Sequence, residues 1–312
     1  MEVLFWLSFC LVAYIYTGYP ILIKLLVVNK KSTLINEDYF PMVSILVPAF
    51  NEEKHIADTL INKIDLDYPK EKIEIIVVSD ESEDQTDEIV KKISDESDVN
   101  VKLVRQVPRS GKTSGLNLIV PEAQGEIIVF SDANSIYAKD ALKKLVRNFA
   151  DSDIGYVTGK MVYSNEDGSL VGDGCSSYMK YENWLREQET QIGSIVGVDG
   201  GIDAMRKSLY QTLRADQLPD FVQPLKVVEK GYRVVYEPEA LLKEEALDDS
   251  GREYTMRVRV TLRALWSLHD MRQLLNPAKF GMFSLQLISH KLLRYLAFIP
   301  VIICFISNVM LL

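Results

Sequence analysis

Cysteine and histidine are scarce in this chain of 312 residues, which contains three of each. Cys10 and Cys304 lie in apolar terminal segments and Cys175 stands alone, so there is neither a C-x-x-C metal pair nor a disulfide framework. The histidines are far apart in sequence and lack the spacing of metal ligands. These scarcities argue against a zinc site and favour a reducing compartment.

Positive charge is also in short supply. The chain has 35 lysines and arginines against 44 acidic residues, a formal net charge of -9. Because a nucleic-acid binder needs a basic face to neutralise phosphates, we expect no nucleic-acid partner. A composition of 47% hydrophobic and 25% charged residues excludes a disordered chain, and the length suffices for one large α/β domain with additions.

Long uncharged apolar runs are missing from the middle of the chain and occur only at its ends. Residues 3–23 form a run close to the ~20 residues that cross a bilayer, without the basic start and small-residue cleavage site of a signal peptide. We therefore predict a transmembrane anchor over residues 1–28. Lys24, Lys30 and Lys31 follow it, which by the positive-inside rule predicts that the next domain faces the cytoplasm.

The C-terminal region combines an amphipathic and an uncharged segment. The stretch "NPAKFGMFSLQLISHKLLRYL" mixes apolar residues with cations, as interfacial helices do, so residues 248–295 are predicted to form acceptor-side and interfacial helices. Residues 296–312 are predicted to be a transmembrane helix. This last run is slightly short for a full span, so two interpretations stay open: a short helix, or a membrane helix within which the sequence is cut.

Between these ends, strand-like runs alternate with helical patterns. The runs are "VSILVP", "IEIIVVSD", "VKLVRQ", "EIIVFSD" and "YRVVYEP". Such alternation predicts an α/β domain with a mainly parallel sheet, here over residues 42–247, joined to the anchor by a linker at 29–41. Ligands of such sheets bind at the carboxyl ends of the strands.

Polar residues follow three of these predicted strands, in "VPAFNEE", "VSDESED" and "FSDANS". Asp132 and Asn134 are two residues apart, so in an extended segment their oxygens point to the same side and suit a hard cation with its diphosphate. Asp80 can accept hydrogen bonds from a nucleobase or ribose in the same way. The alternative for all three is that they merely cap a helix or form a turn.

The stretch "RSGKTSGLN" contains the last part of a phosphate-binding P-loop. Gln106 stands where that loop needs its first glycine, so the P-loop backbone turn is not expected and an ATPase or GTPase is a remote alternative. Lys112 can still bind phosphate as a point charge.

These motifs together resemble the family 2 membrane glycosyltransferases. The segments "VSILVPAFNEE", "VVSDESEDQT", "GKTSGLN", "FSDANS", "GGIDAMRKSLY" and "LPDFVQPLKVVEKGYRVVYEPEA" occur in that family's order and spacing, from about residue 42 to residue 290. The group most similar comprises the poly-N-acetylglucosamine, hyaluronan, chitin and cellulose synthases. The resemblance implies a GT-A fold that acts on a nucleotide-sugar donor.

The resemblance also implies roles for residues of the donor site. Pro48, Asn51 and Glu52 would belong to the nucleotide pocket, Asp80 would contact uracil and ribose, and Lys112 would neutralise the diphosphate.

Asp132 and Asn134 match the two acidic positions of the family's D-x-D motif, which holds Mg²⁺ or Mn²⁺ at the donor diphosphate. Asn134 supplies an oxygen but no charge, so we expect weaker metal binding than with a second carboxylate.

Asp220 matches the aspartate of the family's T-E-D motif, the general base, although Leu218 and Pro219 replace the two residues before it. Its sequence context fits equally well a helix start with Asp220 as the N-cap. Arg259 matches the arginine of the Q-x-x-R-W motif, which is otherwise mostly lost, and is expected to face phosphate. A solvated helix surface would show the same arginine pattern.

The sequence thus predicts a membrane-bound inverting glycosyltransferase that uses a UDP-sugar and Mg²⁺ or Mn²⁺ to extend a glycan or glycolipid. Its catalytic domain would face the cytoplasm at the cell membrane, and processive polysaccharide synthesis is favoured. Two alternatives stay open: transfer of a single sugar to a membrane lipid, and a catalytically weak subunit that binds sugar nucleotides.

Overall fold

A computed structural model describes residues 1–27, 33–164, 177–245 and 250–311. Strands in these residues form one sheet: β1 (Val43–Ala49), β2 (Ile73–Ser79), β3 (Asn100–Arg105), β4 (Ile127–Phe130), β5 (Ile136–Tyr137), β6 (Ile154–Ser164), β7 (Asp203–Arg206) and β8 (Arg233–Glu245). The α-helices are α1 (Glu2–Ala13), α2 (Tyr19–Leu26), α3 (Ile56–Ile64), α4 (Thr86–Glu96), α5 (Lys112–Ile119), α6 (Ala141–Val146), α7 (Ser177–Ile192), α8 (Pro219–Glu229), α9 (Ser250–Asp270), α10 (Pro277–Phe280), α11 (Met282–Gln286), α12 (Leu293–Tyr295) and α13 (Phe298–Val309). Two π-helical segments, Tyr14–Gly18 and Leu287–Leu292, and four short 3₁₀ segments, Lys70–Lys72, Arg147–Ala150, Lys207–Leu209 and Arg272–Leu275, complete the described elements.

The sheet is mixed, with its parallel part first in the chain. Its order is β3-β2-β1-β4-β7-β6-β8-β5. Four of the seven neighbouring pairs are parallel, and three of these join β3, β2, β1 and β4. Strand β7 runs antiparallel to both of its neighbours. The α/β class, the mainly parallel sheet and all five predicted strands are therefore confirmed, whereas β5, β6 and β7 were not predicted.

Both faces of the sheet are buried, as expected for a parallel sheet covered by helices. Ile45 and Val47 of β1 belong to an apolar cluster on one face, together with residues of α3, α4 and α6. Leu46, which points the other way, belongs to a second cluster that contains residues of α5 and α8. The alternation of side chains along β1 therefore places helices on the two faces and leaves the strand ends open.

The loops after β1, β2 and β4 meet at one edge of the sheet, because these three strands are parallel neighbours. The first two loops are joined directly. The amide of Asn51 donates to Ser82 Oγ (3.1 Å), and Asn51 Oδ1 accepts from the amide of Glu83 (2.9 Å). This edge carries most of the residues that the sequence assigned to the donor site.

The predicted linker at 29–41 lies partly outside the described residues, and the rest of it packs on the domain. Tyr39 and Phe40 pack against the first apolar cluster. Arg147 pairs with Glu37 at 2.6 Å. The second half of this segment is therefore a docked part of the domain.

Apolar helices stand at both ends of the described chain. Among the described residues, Glu2–Leu26 is the one helix long and apolar enough to cross a membrane. A second crossing would exist if the helical segments Met282–Tyr295 and Phe298–Val309, which meet at a bend of 57°, form one span. Helices α1 and α13 pack together. Many of their apolar side chains are exposed, including Trp6, Phe9 and Phe305. The predicted bilayer crossings stay predictions.

Candidate functional site

Three predicted site residues converge beyond the carboxyl end of β4. Lys112 Nζ lies 2.5 Å from Asp132 Oδ1. Asp220 is close enough to both for their charges to affect its own pKa. Gly200 and Gly201 lie between the two carboxylates: a Cβ at Gly200 would be 3.2 Å from Asp220 Oδ2, and one at Gly201 would be 3.4 Å from Asp132 Oδ2.

The electrostatics of this cluster follow from burial and from the central lysine. The Lys112 ammonium lowers the pKa of Asp132. Burial alone would lower the pKa of Lys112, but Asp132 and Asp220 outweigh it and raise that pKa. Burial raises the pKa of Asp220, and Lys112 partly offsets this. The side chains of Lys112 and Asp132 are 41% and 40% exposed, so a ligand can reach the space beside Lys112, Asp132 and Asp220, which we call the cleft.

Asp80 holds the loop that carries Lys112. Its side chain is almost buried, and its Oδ1 accepts from the amide of Ser110 (2.8 Å) and from Gln106 Nε2 (2.5 Å). Its Oδ2 accepts from the amide of Gly111 (2.9 Å). Three bonds to one loop show that Asp80 orders the approach to α5, and its predicted contact with uracil and ribose stays a prediction.

The residues assigned to the nucleotide pocket lie at the end of β1 and in the loop that follows it. Pro48 lies in β1, and Asn51 has a positive φ of 55° and ties its loop to the next one. Burial and the nearby Asp132 raise the pKa of Glu52, so this carboxyl lies beside the cluster. Sequence reasoning missed a stack at the same edge, in which the guanidinium of Arg109 lies 3.4 Å from the ring centre of Phe50.

The "GKTSGLN" motif has a structural explanation in α5. Thr113 Oγ1 donates to the carbonyl of Gln217 (2.9 Å). Asn117 donates to the carbonyl of Leu213 (2.7 Å) and accepts from its amide (3.1 Å). The motif therefore fastens the segment that leads to Asp220, and the hydroxyl that a P-loop would offer to a metal is engaged with the backbone.

Asp220 lies in the first turn of α8, where solvent reaches much of the residue although the surrounding protein crowds its carboxylate. Leu218 is the N-cap residue of this helix, Pro219 is the first helical residue, and no side chain makes a capping bond. The interpretation of Asp220 as an N-cap is therefore wrong. Its carboxylate is left to face Gly200 and the cleft.

Two predicted residues are less closely tied to the cluster. Asn134 is exposed, two residues after Asp132. Arg259 is exposed on α9, and no contact between described side chains joins it to Lys112 or Asp132. Its predicted contact with phosphate stays a prediction.

The donor set fits a cation that is shared with a diphosphate. Among the residues that the structure describes, no group of three or more histidine, cysteine or acidic side chains could hold a metal by itself. Asp132 and Asn134 supply two oxygen ligands, and Mg²⁺ commonly takes one or two carboxylates and completes its shell with phosphate and water.

A buried carboxyl behind the cleft was also missed. Asp203 in β7 is 1% exposed, and its Oδ2 accepts from the Tyr156 hydroxyl (2.9 Å). Burial raises the pKa of Asp203 to about 7. A second buried group, Lys63, donates to the carbonyl of Ser135 (2.6 Å) and supports the loop after Asp132. Asp203 lies within the quoted segment "GGIDAMRKSLY", to which no role was assigned, and Lys63 lies in no quoted segment, so sequence reasoning singled out neither residue.

The fold and the position of this site define a GT-A protein. A solved mannosyltransferase from Pyrobaculum calidifontis, in complex with GDP-Man and Mn²⁺, superposes with a TM-score of 0.74 over 86% of this chain and 76% of that chain, at 24% identity. The family model for glycosyl transferase family 2 matches residues 44–214, more than half of the chain. The chain therefore belongs to glycosyl transferase family 2.

Curated relatives differ in the products that their names give. A beta-monoglucosyldiacylglycerol synthase from Trichormus variabilis is 32% identical over 169 residues, which are 54% of this chain and 36% of the relative. A poly-beta-1,6-N-acetyl-D-glucosamine synthase from Staphylococcus aureus is 29% identical over 236 residues, 74% of this chain and 56% of the relative. The matched part of the chain thus spans about a third to a half of these relatives.

Proposed function

We propose that this protein is a membrane-bound inverting glycosyltransferase that moves a sugar from a UDP-sugar to a growing glycan or to a glycolipid. The observation that carries the proposal is the convergence of Asp132, Lys112 and Asp220 in one cleft at the carboxyl edge of the sheet. Transfer from a nucleoside diphosphate requires a cation, an anionic ligand for a metal ion and a second carboxylate that acts as the base.

In the proposed mechanism, Asp220 is the general base. It removes the proton from the acceptor hydroxyl, whose oxygen attacks the anomeric carbon on the side opposite the departing nucleoside diphosphate, so the configuration inverts. The pKa of Asp220, raised by burial, brings its basicity closer to what proton transfer near neutral pH needs. Lys112 then meets the charge that develops on the diphosphate.

Asp132 and Asn134 would hold Mg²⁺ or Mn²⁺, which neutralises diphosphate charge when bound. The Mn²⁺ complex of the archaeal mannosyltransferase supports this assignment. In the present arrangement Lys112 is paired with Asp132. Nucleotide and cation together would therefore draw Lys112 from the carboxylate towards the phosphates.

The acceptor is proposed to be a glycan or glycolipid at the cytoplasmic face of the cell membrane. The exposed apolar surfaces of α1 and α13 support membrane attachment. The name of the Trichormus relative supports a glycolipid product, and that of the Staphylococcus relative supports a polysaccharide product. Processive synthesis is our first proposal, and transfer of one sugar to a lipid is the second.

A nucleotide-release assay tests this function. Detergent-solubilised protein is incubated with UDP- and GDP-sugars and with Mg²⁺ or Mn²⁺, and the released nucleotide and the labelled products are measured. We expect release of UDP, its loss in Asp132→Ala, and its retention in Asp216→Asn, a control at an exposed carboxylate. A ladder of products indicates processive synthesis and a single band indicates one transfer. Binding of UDP without release from any donor would contradict the proposal and favour a nucleotide-binding subunit.

A further inference from the structure

The wall between the two site carboxylates is a turn without side chains. Gly200 and Gly201 follow each other with φ of +73° and +69°, a conformation that L side chains rarely adopt. Gly200 faces Asp220 and Gly201 faces Asp132, at the distances given above for an added Cβ. This turn therefore sets the separation between the proposed base and the proposed metal ligand.

The turn is held at both ends. The carbonyl of Gly201 lies 2.7 Å from the Tyr137 hydroxyl, and the carbonyl of Gly200 accepts from the amide of Ile202 (2.8 Å). On the other side, Asp199 Oδ1 lies 2.5 Å from Arg186 Nη1, and these side chains are 5% and 6% exposed. The amide of Asp199 also donates to Thr158 Oγ1 (3.3 Å).

Arg186, the ion-pair partner of Asp199, lies on a helix that other contacts hold in place. Arg186 lies on α7, where Glu182 and Glu189 flank it by one helical turn and contact the two nitrogens of His290 at 2.8 and 2.6 Å. Lys291, next to His290, packs on the backbone of the same loop, since a Cβ at Gly197 would overlap it. Helix α7 is thus fixed independently of the cleft and can serve as the anchor of the turn.

We propose that Asp199, anchored by Arg186, is a positioning residue that holds the Gly200–Gly201 turn and thereby sets the place of the acceptor hydroxyl between Asp220 and the donor. The inference rests on the proposed function, because it assigns a job in sugar transfer. Asp199 itself touches neither reacting group. Its loss should impair transfer and leave nucleotide binding intact, since Asp80, Lys112 and Asp132 are held by other contacts.

Two glycine variants separate this role from general strain. Gly200→Ala places a methyl group against Asp220 at φ +73°, whereas Gly231→Ala has the same kind of strain at φ +88° with nothing within 4 Å. Both variants should lose similar stability from the left-handed backbone. Only Gly200→Ala should lose transfer, by roughly 10- to 100-fold in kcat, because small misplacements of reacting groups are costly.

Arg186 and Asp199 variants test the anchor. Asp199→Asn and Arg186→Met should each lower kcat for transfer roughly tenfold or more. The number of nucleotide-binding sites and the Kd for UDP should not change. Arg186→Lys should recover part of kcat, because it restores the cation.

The decisive measurement is transfer per nucleotide-binding site, because misfolded protein lowers both quantities together. Normal transfer in Gly200→Ala or Asp199→Asn would overturn the inference while leaving the proposed function standing. Equal losses in Arg186→Lys and Arg186→Met, or loss of UDP binding in a folded Gly200→Ala protein, would also overturn it. A wild-type protein that transfers no sugar would overturn the function and the inference together.

Discussion

Lys112 affects the pKa values of two carboxylates, those of Asp132 and Asp220. Beside Asp132 it acts as a counter-ion and lowers the pKa of that group, while at Asp220 it opposes the rise in pKa that burial causes. The Lys112 ammonium therefore favours the ionised form of both the proposed metal ligand and the proposed base. With Asp220 as the proposed base, we expect the acid limb of the pH profile to depend on Lys112, a residue that transfers no proton.

Replacing Lys112 by Met should move the acid limb of kcat/KM to higher pH. Removal of a positive charge beside a carboxylate raises its pKa, so a higher pH is needed to keep Asp220 ionised. The measurement is the pH of half-maximal kcat/KM for the residual activity, with Lys91→Met, an exposed lysine on α4, as the control. A limb that stays in place or moves to lower pH would show that Lys112 does not act on the base.

Asp220→Asn should separate binding from turnover. Asparagine keeps the shape of the side chain but cannot take the proton, so transfer should fall by the ~10²–10⁴-fold typical of a lost general base. The Kd for UDP should change little, because the donor contacts assigned to Asp80, Lys112 and Asp132 remain. Kinetics and titration with UDP provide the two readouts, and Asp216→Asn is the matched control. Near-normal transfer would direct the search to another carboxylate.

At the level of elements, a buried charged cluster joins α2, α7 and the segment Leu287–Leu292. The two ring nitrogens of His290 lie 2.8 Å from Glu182 Oε1 and 2.6 Å from Glu189 Oε1. Tyr19 donates to the same Glu189, and Arg294 pairs with Glu182 at 2.6 Å. The cluster therefore connects the N-terminal apolar helix to the catalytic domain through α7.

His290→Gln should destabilise the protein by about 1–3 kcal/mol, because it takes a hydrogen-bond partner away from two buried carboxylates, Glu182 and Glu189. Urea unfolding in detergent measures this change. His269→Gln is the control, since His269 is exposed on α9 and should shift the free energy of unfolding by less than about 0.5 kcal/mol. Equal effects in the two variants would contradict a structural role for the cluster.

The sequence predicted elements with regular patterns and missed those shaped by tertiary packing. Strands β1, β2 and β4 were evident as short apolar runs, and their parallel pairing follows from alternation with helices. Strand β6 was obscured by Gly155, where a Cβ would lie 2.6 Å from Leu209, so the close approach of neighbours requires a residue that weakens the strand pattern. Strand β7 is only four residues long, with charged residues at its ends.

The residues of the candidate site also divide into those that stand in sequence motifs and those that only tertiary packing brings together. Asp132, Lys112 and Asp220 stand in motifs, and the resemblance to a family predicted them. Asp199 and Arg186 meet only because the loop after α7 folds back on that helix, so no spacing in the sequence reveals the pair. The Gly200–Gly201 turn was part of a quoted motif, but its role as a wall needed the positions of both carboxylates.

At the scale of the whole molecule, a frame of packed helices connects the apolar terminal helices to the cleft. Helices α1 and α13 pack on each other, and α2 contacts α7, whose Arg186 anchors the wall of the cleft. Insertion of the terminal helices into a bilayer would therefore place the cleft at a fixed distance from the membrane surface. A lipid-borne or growing acceptor would then meet Asp220 without leaving that surface.

This frame leads to a prediction about topology. Lys24, Lys30 and Lys31 follow the N-terminal helix, so the positive-inside rule places its C-terminal end and the catalytic domain in the cytoplasm and its N-terminus outside. In intact spheroplasts, protease should remove an N-terminal tag. In the same cells, an impermeant maleimide should fail to label E88C, a variant at an exposed position on α4, until the membrane is broken.

The two readouts distinguish the possible arrangements. A protected tag together with an unlabelled E88C would show that the helix does not cross the membrane and lies on its cytoplasmic side. A protected tag with a labelled E88C would reverse the orientation. A reversed orientation would contradict the prediction that the catalytic domain faces the cytoplasm.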